Sequence, residues 1–291
     1  MQSRRSQGGL CPPSTSSFDF PEDNKSDKVD RLLKTMRTLQ SIVDPFVKGV
    51  GGELVSDLIA NKNPVSNADY LFRRHNVIAE LKSLQAGGFV ESFHRKLAEL
   101  MGKWDRQGRF RVYGTVRMES SKLPADCRDE MFAVMGESIQ KHVVAAANKQ
   151  IKSTKSLLNM PDAKGLLWVA SDGNEDFQPD VVWYLLTKAL QKKKESGDPA
   201  YSSINGLAYF NPRMLAQVPQ ASEPAMLWFS GCRNPAQDEP LQACLNILSN
   251  GWPHYVVWAQ GVTVRNVAGK PEDARFLGVE PKLPKIAINY K

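Results

Sequence analysis

The sequence predicts an α/β protein, because short apolar runs with the character of strands alternate with longer stretches of helical periodicity. Residues 77–84 and 165–172 are apolar runs of strand length. Residues 126–158 repeat apolar side chains every three or four positions, which is typical of a long helix. Strands and helices that alternate in this way form a central sheet covered by helices.

The elements are predicted in chain order from periodicity, caps and turn residues. Residues 1–27 are rich in Ser, Pro, Gly and Gln and are expected to be a disordered tail, followed by a single domain over 28–291. Asp44 is expected to cap a helix that has Pro45 at its first position and carries Glu53. Helices are predicted at 29–43, 44–60, 89–103, 126–158, 178–191 and 239–250. A turn is predicted at 61–67, and strands at 70–73, 77–84, 109–119, 165–172, 204–210, 225–231 and 254–264.

Composition excludes several classes of protein. The four cysteines and four histidines do not have the spacing of a zinc site or of a disulfide framework. No apolar stretch has the length of a membrane span, and the N-terminal region lacks the apolar core of a secretory signal, so we expect a cytoplasmic protein without a membrane partner. The net charge of +7 is a mild excess that suits a polyanionic partner.

A charged cluster interrupts the predicted strand at 77–84. Glu80 and Lys82 are two residues apart, so their side chains leave the strand on the same face. Asp69 lies at the mouth of the preceding strand, and a short turn at 75–76 can bring it near Glu80. Adjacent carboxylates repel unless a proton or a cation separates them, and hard divalent cations prefer oxygen ligands. The alternative is a salt-bridged Glu80–Lys82 pair on a half-exposed edge strand.

Asp69 and the tripeptide Glu80-Leu81-Lys82 resemble the D…(D/E)xK motif of the PD-(D/E)xK nuclease superfamily. The tripeptide pattern also occurs at 23–25, 162–164 and 280–282, but only at 80–82 does it lie within an apolar strand. The resemblance spans roughly residues 45–172. It implies a restriction-endonuclease-like core, which is a mixed central sheet flanked by helices, here with extra helices and strands.

The resemblance also implies roles for individual residues. Asp69 and Glu80 would bind Mg²⁺ or Mn²⁺, and Lys82 would be the catalytic lysine. An acid of the first helix often completes the site, and Glu53 matches that place, with Asp57 as its rival. Two features depart from the family pattern: Ala68 stands where the motif has a proline, and the elements at 89–103 and 109–119 are additional.

The later core helix supplies weaker candidates for nucleic-acid binding: Lys149, Gln150, Lys152 and Lys155. They are expected to contact phosphates or to form a solvated basic face. The expected function is a divalent-metal-dependent nuclease that hydrolyses phosphodiester bonds in DNA, in defence, restriction or repair, as a homodimer or larger assembly. The alternatives are a catalytically inactive nucleic-acid-binding or assembly subunit with the same fold, and an α/β interaction protein in which the motif is accidental.

Overall fold

The computed structural model describes residues 38–59, 67–84, 89–111, 116–119, 122–171, 179–216, 225–234, 236–260 and 287–290. The predicted tail at 1–27 and most of the predicted turn at 61–67 lie outside these residues. The helices are α1 (Leu39–Gly49), α2 (Val55–Leu58), α3 (Phe89–Arg106), α4 (Ala125–Ile139), α5 (Ala146–Leu157), α6 (Pro179–Leu190) and α7 (Glu239–Gln260). The strands are β1 (Glu53–Leu54), β2 (Tyr70–Phe72), β3 (Val77–Ser83), β4 (Val116–Glu119), β5 (Lys164–Ala170), β6 (Gly206–Ala216), β7 (Ala225–Cys232) and β8 (Ala287–Tyr290).

The predicted α/β class is confirmed by a mixed six-stranded sheet with helices on both faces. Its strand order is β1-β2-β3-β5-β6-β7. Strands β3, β5 and β6 run parallel, whereas β1, β2 and β7 join through antiparallel pairs. Strands β4 and β8 form a separate antiparallel pair. The inner position of β3 explains its apolar sequence, because a strand in the middle of such a sheet is buried on both faces.

Two apolar layers enclose the sheet. One layer joins α4, α5 and α6 to one face, through residues such as Met131, Ile151 and Leu186. The other joins α1 and α7 to the opposite face, where Phe46 and Trp252 pack near Trp168 of β5. The predicted helix at 126–158 is confirmed as α4 and α5, joined by a π-helical turn at Gln140–Ala145.

The predicted helix at 44–60 is wrong. Helix α1 is continuous from Leu39 to Gly49 with Pro45 inside it, so Asp44 lies within the helix and does not cap a new one. The chain then turns at Gly51, whose φ of 79° is readily adopted only by glycine. A Cβ on Gly52 would lie 2.5 Å from Val47 Cγ1, so this tight turn also requires glycine there.

The predicted strand at 254–264 is also wrong over 254–260, because α7 continues to Gln260, and 261–264 lie outside the described residues. The buried residues Trp252, Tyr255, Val256 and Ala259 follow helical spacing and extend the apolar face of α7. Of the predicted strand at 109–119, the structure describes a strand at 116–119 only, and 112–115 lie outside the described residues. No helix in the described ranges combines the length and apolar character of a membrane span.

Candidate active site

The fold brings Asp69, Glu80 and Lys82 together. A 3₁₀ turn at Arg73–His75 joins β2 to β3, and antiparallel pairing places Tyr70 opposite Ala79. One residue earlier, Asp69 therefore lies opposite Glu80. The Asp69 N–H donates to the Ala79 carbonyl at 3.2 Å, and the Leu81 N–H donates to Asp69 Oδ2 at 2.8 Å.

Glu80 is buried in an inner strand, with only 1% of its surface exposed. This position excludes the alternative of an ion pair on a half-exposed edge strand. Lys82 Nζ lies 2.6 Å from Glu80 Oε1, while no donor group among the described residues reaches the buried Oε2. Burial and the negative charge of Asp69 raise the pKa of Glu80 to about 8, and the positive charge of Lys82 opposes this shift.

Asp69 is half-buried beside Glu80. Burial raises the pKa of Asp69, while the Leu81 N–H, the Lys82 charge and a hydrogen bond with the Glu80 carboxyl oppose the shift. Two carboxylates this close repel each other unless a proton or a cation lies between them, so the pair favours the uptake of a proton when no cation is bound. A divalent cation that displaces this proton would satisfy both groups.

A cleft of about 480 Å³ adjoins Asp69 and is walled by α1, α2 and the start of β2. Helix α1 contributes Gln40 and Asp44, one turn apart. Gln40 Nε2 donates to Asp69 Oδ1 at 3.3 Å, and the Tyr70 hydroxyl donates to Asp44 Oδ1 at 2.9 Å. Burial raises the pKa of Tyr70, and so do the negative charges of Asp44, Asp69 and Glu80.

Sequence analysis missed both Gln40 and Asp44. The Asp44-Pro45 pair predicts a helix start, whereas Asp44 lies inside α1. One signal was present: Gln40 and Asp44 are four residues apart, beside the buried stripe of Val43 and Val47. A continuous helix through 39–49 places both polar side chains along one edge of that stripe.

Helix α5 fixes the lysine of the site. Gln150 Oε1 accepts a hydrogen bond from Lys82 Nζ at 2.6 Å, and Gln150 Nε2 donates to the Asn67 carbonyl at 3.2 Å. The side chain of Gln150 therefore connects the strand that carries Lys82 to the segment that leads into β2.

The basic candidates of α5 have different environments. Lys149 and Lys152 are exposed, whereas Lys155 is half-buried. Burial and the nearby positive charge of Lys164 lower the pKa of Lys155, which indicates a crowded basic environment. Of these three lysines, Lys149 and Lys152 are the exposed ones.

Glu53 and Asp57 lie apart from the contacts described for the acidic pair. Glu53 belongs to β1, not to a helix, and its carboxylate accepts hydrogen bonds of 2.9 and 3.0 Å from Arg73. Asp57 lies 3.2 Å from the ammonium group of Lys48. The assignment of either acid to the site stays a prediction.

We expect Asp44→Asn to weaken divalent-cation binding and Glu53→Gln to leave it within about twofold. Asp44 is half-buried beside Asp69, whereas Glu53 is held by Arg73. Loss of a carboxylate that orients or completes a metal site costs about 10- to 100-fold in affinity. Isothermal titration calorimetry with Mn²⁺ measures the affinity of both variants for the cation. A larger loss in Glu53→Gln than in Asp44→Asn would instead support the original assignment.

The described residues contain no cluster of three or more His, Cys, Asp or Glu side chains arranged to hold a metal ion. The Asp69–Glu80 pair nevertheless has the donor set that suits Mg²⁺, which commonly takes one or two carboxylates and completes its octahedron with water and phosphate. The buried, unpartnered Oε2 of Glu80 also fits a cation ligand.

Comparison of the chain with models of protein families, with characterised proteins and with solved structures finds no significant match. The site offers one buried and one half-buried carboxyl group, a restrained ammonium group and an adjoining cleft.

Proposed function

We propose that this chain is a divalent-metal-dependent nuclease that hydrolyses phosphodiester bonds, with DNA as its substrate. The observation that carries the proposal is the pairing of the buried Glu80 with the half-buried Asp69, with the Lys82 ammonium group 2.6 Å from Glu80. Buried charges of this kind destabilise a protein unless they are paired or bound to an ion, and they are typical of functional sites.

Asp69 and Glu80 would hold Mg²⁺ or Mn²⁺, which lowers the pKa of a bound water and neutralises charge on the scissile phosphate. Lys82 is restrained by Glu80 and Gln150, so its ammonium group keeps a fixed direction. In that position Lys82 orients the attacking water and stabilises the negative charge that develops on the phosphate oxygens. Asp44, one turn from Gln40, adds negative charge on the other side of Asp69.

The order of the elements supports a restriction-endonuclease-like core. Helix α1 precedes three antiparallel strands, β1, β2 and β3, and α5 then leads into β5, which lies parallel to β3. This order is similar to the helix, three strands, helix and strand of the family that the motif resembles, with α2 and α4 as further helices. Helix α3 and strand β4 fall between β3 and α4 as additions.

The charge of the chain supports nucleic acid as the partner. The formal net charge is +7, and Lys149 and Lys152 are exposed on the helix whose Gln150 contacts Lys82. Phosphate contacts from such lysines position a nucleic acid without reading its sequence. These two lysines would contact the phosphate backbone of a nucleic acid bound near α5. A homodimer or larger assembly stays a prediction.

Cleavage of supercoiled plasmid and of single-stranded DNA with Mg²⁺ or Mn²⁺ tests the proposal. We expect the wild type to cleave, and Glu80→Ala and Lys82→Ala to lose at least about 100-fold in rate, the scale of a lost acid–base group. The exposed neighbours Lys194 and Glu195 provide matched controls, Lys194→Ala and Glu195→Ala, that should retain full activity.

Two outcomes would contradict the proposal. Folded wild type that binds DNA but cleaves it with neither cation would support the inactive binding or assembly subunit. Cleavage that survives both substitutions would show that the active site lies elsewhere in the chain.

A further inference from the structure

The segment that leads into β2 is anchored to α5 by a second contact. The Ala68 N–H donates to Thr154 Oγ1 at 2.7 Å, across 86 residues of sequence. Thr154 is fully buried and lies one helical turn after Gln150, which binds the Asn67 carbonyl. Two neighbouring side chains of α5 therefore hold two consecutive residues immediately before Asp69.

The backbone of Asp69 makes two further hydrogen bonds. Its N–H donates to the Ala79 carbonyl at 3.2 Å, and its carbonyl accepts from the Val55 N–H at 2.9 Å. These bonds fix the Asp69 backbone against β3 and against the first residue of α2. The contact from Thr154 to Ala68 restrains the preceding peptide from the helical layer, and so limits how far the Asp69 carboxylate can move relative to Glu80.

The identity of residue 68 explains why an acceptor is needed. Ala68 occupies the position at which the motif has a proline, and proline has no backbone N–H. Alanine at the same buried position brings a donor, and a buried N–H without an acceptor destabilises the fold. The hydroxyl of Thr154 supplies that acceptor.

We propose that Thr154 is a positioning residue for the acidic pair. Its hydrogen bond to the Ala68 N–H restrains the backbone before Asp69, in place of the restraint that a proline at position 68 would give. This inference rests on the proposed function, because it concerns the same cation site. Thr154 touches neither the cation nor the substrate. It acts through Ala68 on the placement of Asp69.

Mn²⁺ affinity, measured by isothermal titration calorimetry on the full chain, tests the inference. We expect Thr154→Val to weaken Mn²⁺ binding by about 10-fold or more, the effect of losing a group that orients a metal ligand. Thr154→Ser keeps the hydroxyl and should bind within about twofold of the wild type. Thr187→Val is the matched control, because Thr187 is a buried threonine of α6 that bonds the Tyr184 carbonyl.

A double-mutant cycle with Ala68→Pro separates positioning from a general loss of packing. Once proline has removed the donor, Thr154 should lose its influence on the site. We therefore expect Ala68→Pro and Ala68→Pro/Thr154→Val to bind Mn²⁺ equally, within about twofold. This comparison remains decisive if Thr154→Val alone does not fold. A loss of affinity by Thr154→Val that persists in the proline background would overturn the inference.

The proposed function and this inference fail in different ways. If the wild type binds Mn²⁺ no more tightly than Glu80→Gln, there is no cation site at the acidic pair and both proposals fall. If Glu80→Gln loses binding but Thr154→Val binds like the wild type, only the role of Thr154 is wrong.

Discussion

Glu80→Gln is expected to stabilise the metal-free protein at pH 8 and to abolish metal-dependent cleavage. Glu80 is buried next to Asp69, and the pKa of its carboxyl rises from 4.5 to about 8. Ionisation of this group in the native state is therefore unfavourable when no cation is bound. Glutamine has nearly the same shape without the charge, so it removes the repulsion and also the ligand that the proposed chemistry needs.

The pH dependence of the free energy of unfolding follows from the raised pKa of Glu80. Below pH 4.5 both the native and the unfolded states hold the proton, and the contribution of Glu80 to stability is fully present. Between 4.5 and about 8 the unfolded state ionises first, so this contribution is lost as the pH rises. Each unit of pKa difference corresponds to about 1.4 kcal/mol, which makes the loss on the order of a few kcal/mol by pH 8. The raised pKa of Asp69 acts in the same direction.

Thermal and urea unfolding in EDTA at pH 5 and pH 8 measure this effect. The increase in the free energy of unfolding that Glu80→Gln produces should be small at pH 5 and large at pH 8. Glu130→Gln is the control of opposite sign, because Lys103 and Arg109 hold the pKa of Glu130 at about 2. The free energy of unfolding of Glu130→Gln should not exceed that of the wild type at pH 8. A free energy of unfolding that falls at both pH values in Glu80→Gln would contradict the account.

Lys82→Met is expected to lose cleavage while it retains cation binding. The Lys82 ammonium group lies between Glu80 Oε1 and Gln150 Oε1, each at 2.6 Å, and it is not a metal ligand. Its removal takes away the group that orients water and stabilises the phosphate charge, which is worth about 100- to 10,000-fold in rate. Mn²⁺ affinity should stay equal or increase, because a positive charge beside the cation has been removed.

Single-turnover cleavage and Mn²⁺ titration of the same Lys82→Met preparation measure the cleavage rate and the Mn²⁺ affinity. Lys194→Met, in an exposed loop, controls for the general loss of a lysine. The account is contradicted if cleavage stays within tenfold of the wild type. It is also contradicted if Mn²⁺ binding is lost together with cleavage, since Lys82 would then hold the carboxylates in place and would not take part in the reaction.

The meeting of Asp69, Glu80 and Lys82 could be predicted from sequence because it depends on local rules. The two-residue period of a strand places Glu80 and Lys82 on one face. A short connection between antiparallel strands brings Asp69 opposite Glu80. Both rules act within about 15 residues, and the burial of β3 is expected from its apolar residues on either side of Glu80.

The remaining parts of the site depend on contacts that are distant in sequence. Asp44 was assigned to a helix start because Pro45 suits that position, but the apolar stripe of α1 packs on the sheet and keeps the helix continuous through the proline. The contact between Thr154 and Ala68 spans 86 residues and leaves no local pattern. Tertiary packing overrides local propensity in both cases.

The extension of α7 was missed for a related reason. Residues 254–260 contain β-branched and aromatic side chains that favour a strand in isolation. In the structure, the buried residues of α7 repeat at helical spacing from Leu241 to Ala259. Tyr255 belongs to this series and contacts Phe46 of α1. A period counted across the whole of 241–259 would have predicted the helix.

The decisive experiment for the proposed cation site is to locate bound Mn²⁺ in a crystal of the protein by anomalous diffraction. The account predicts one strong anomalous peak within coordination distance of a carboxylate oxygen of Asp69 and of Glu80 Oε2, and no such peak in crystals of Glu80→Gln. A peak bound elsewhere, or an acidic pair that stays protonated and free of metal at saturating Mn²⁺ and pH 8, would contradict it.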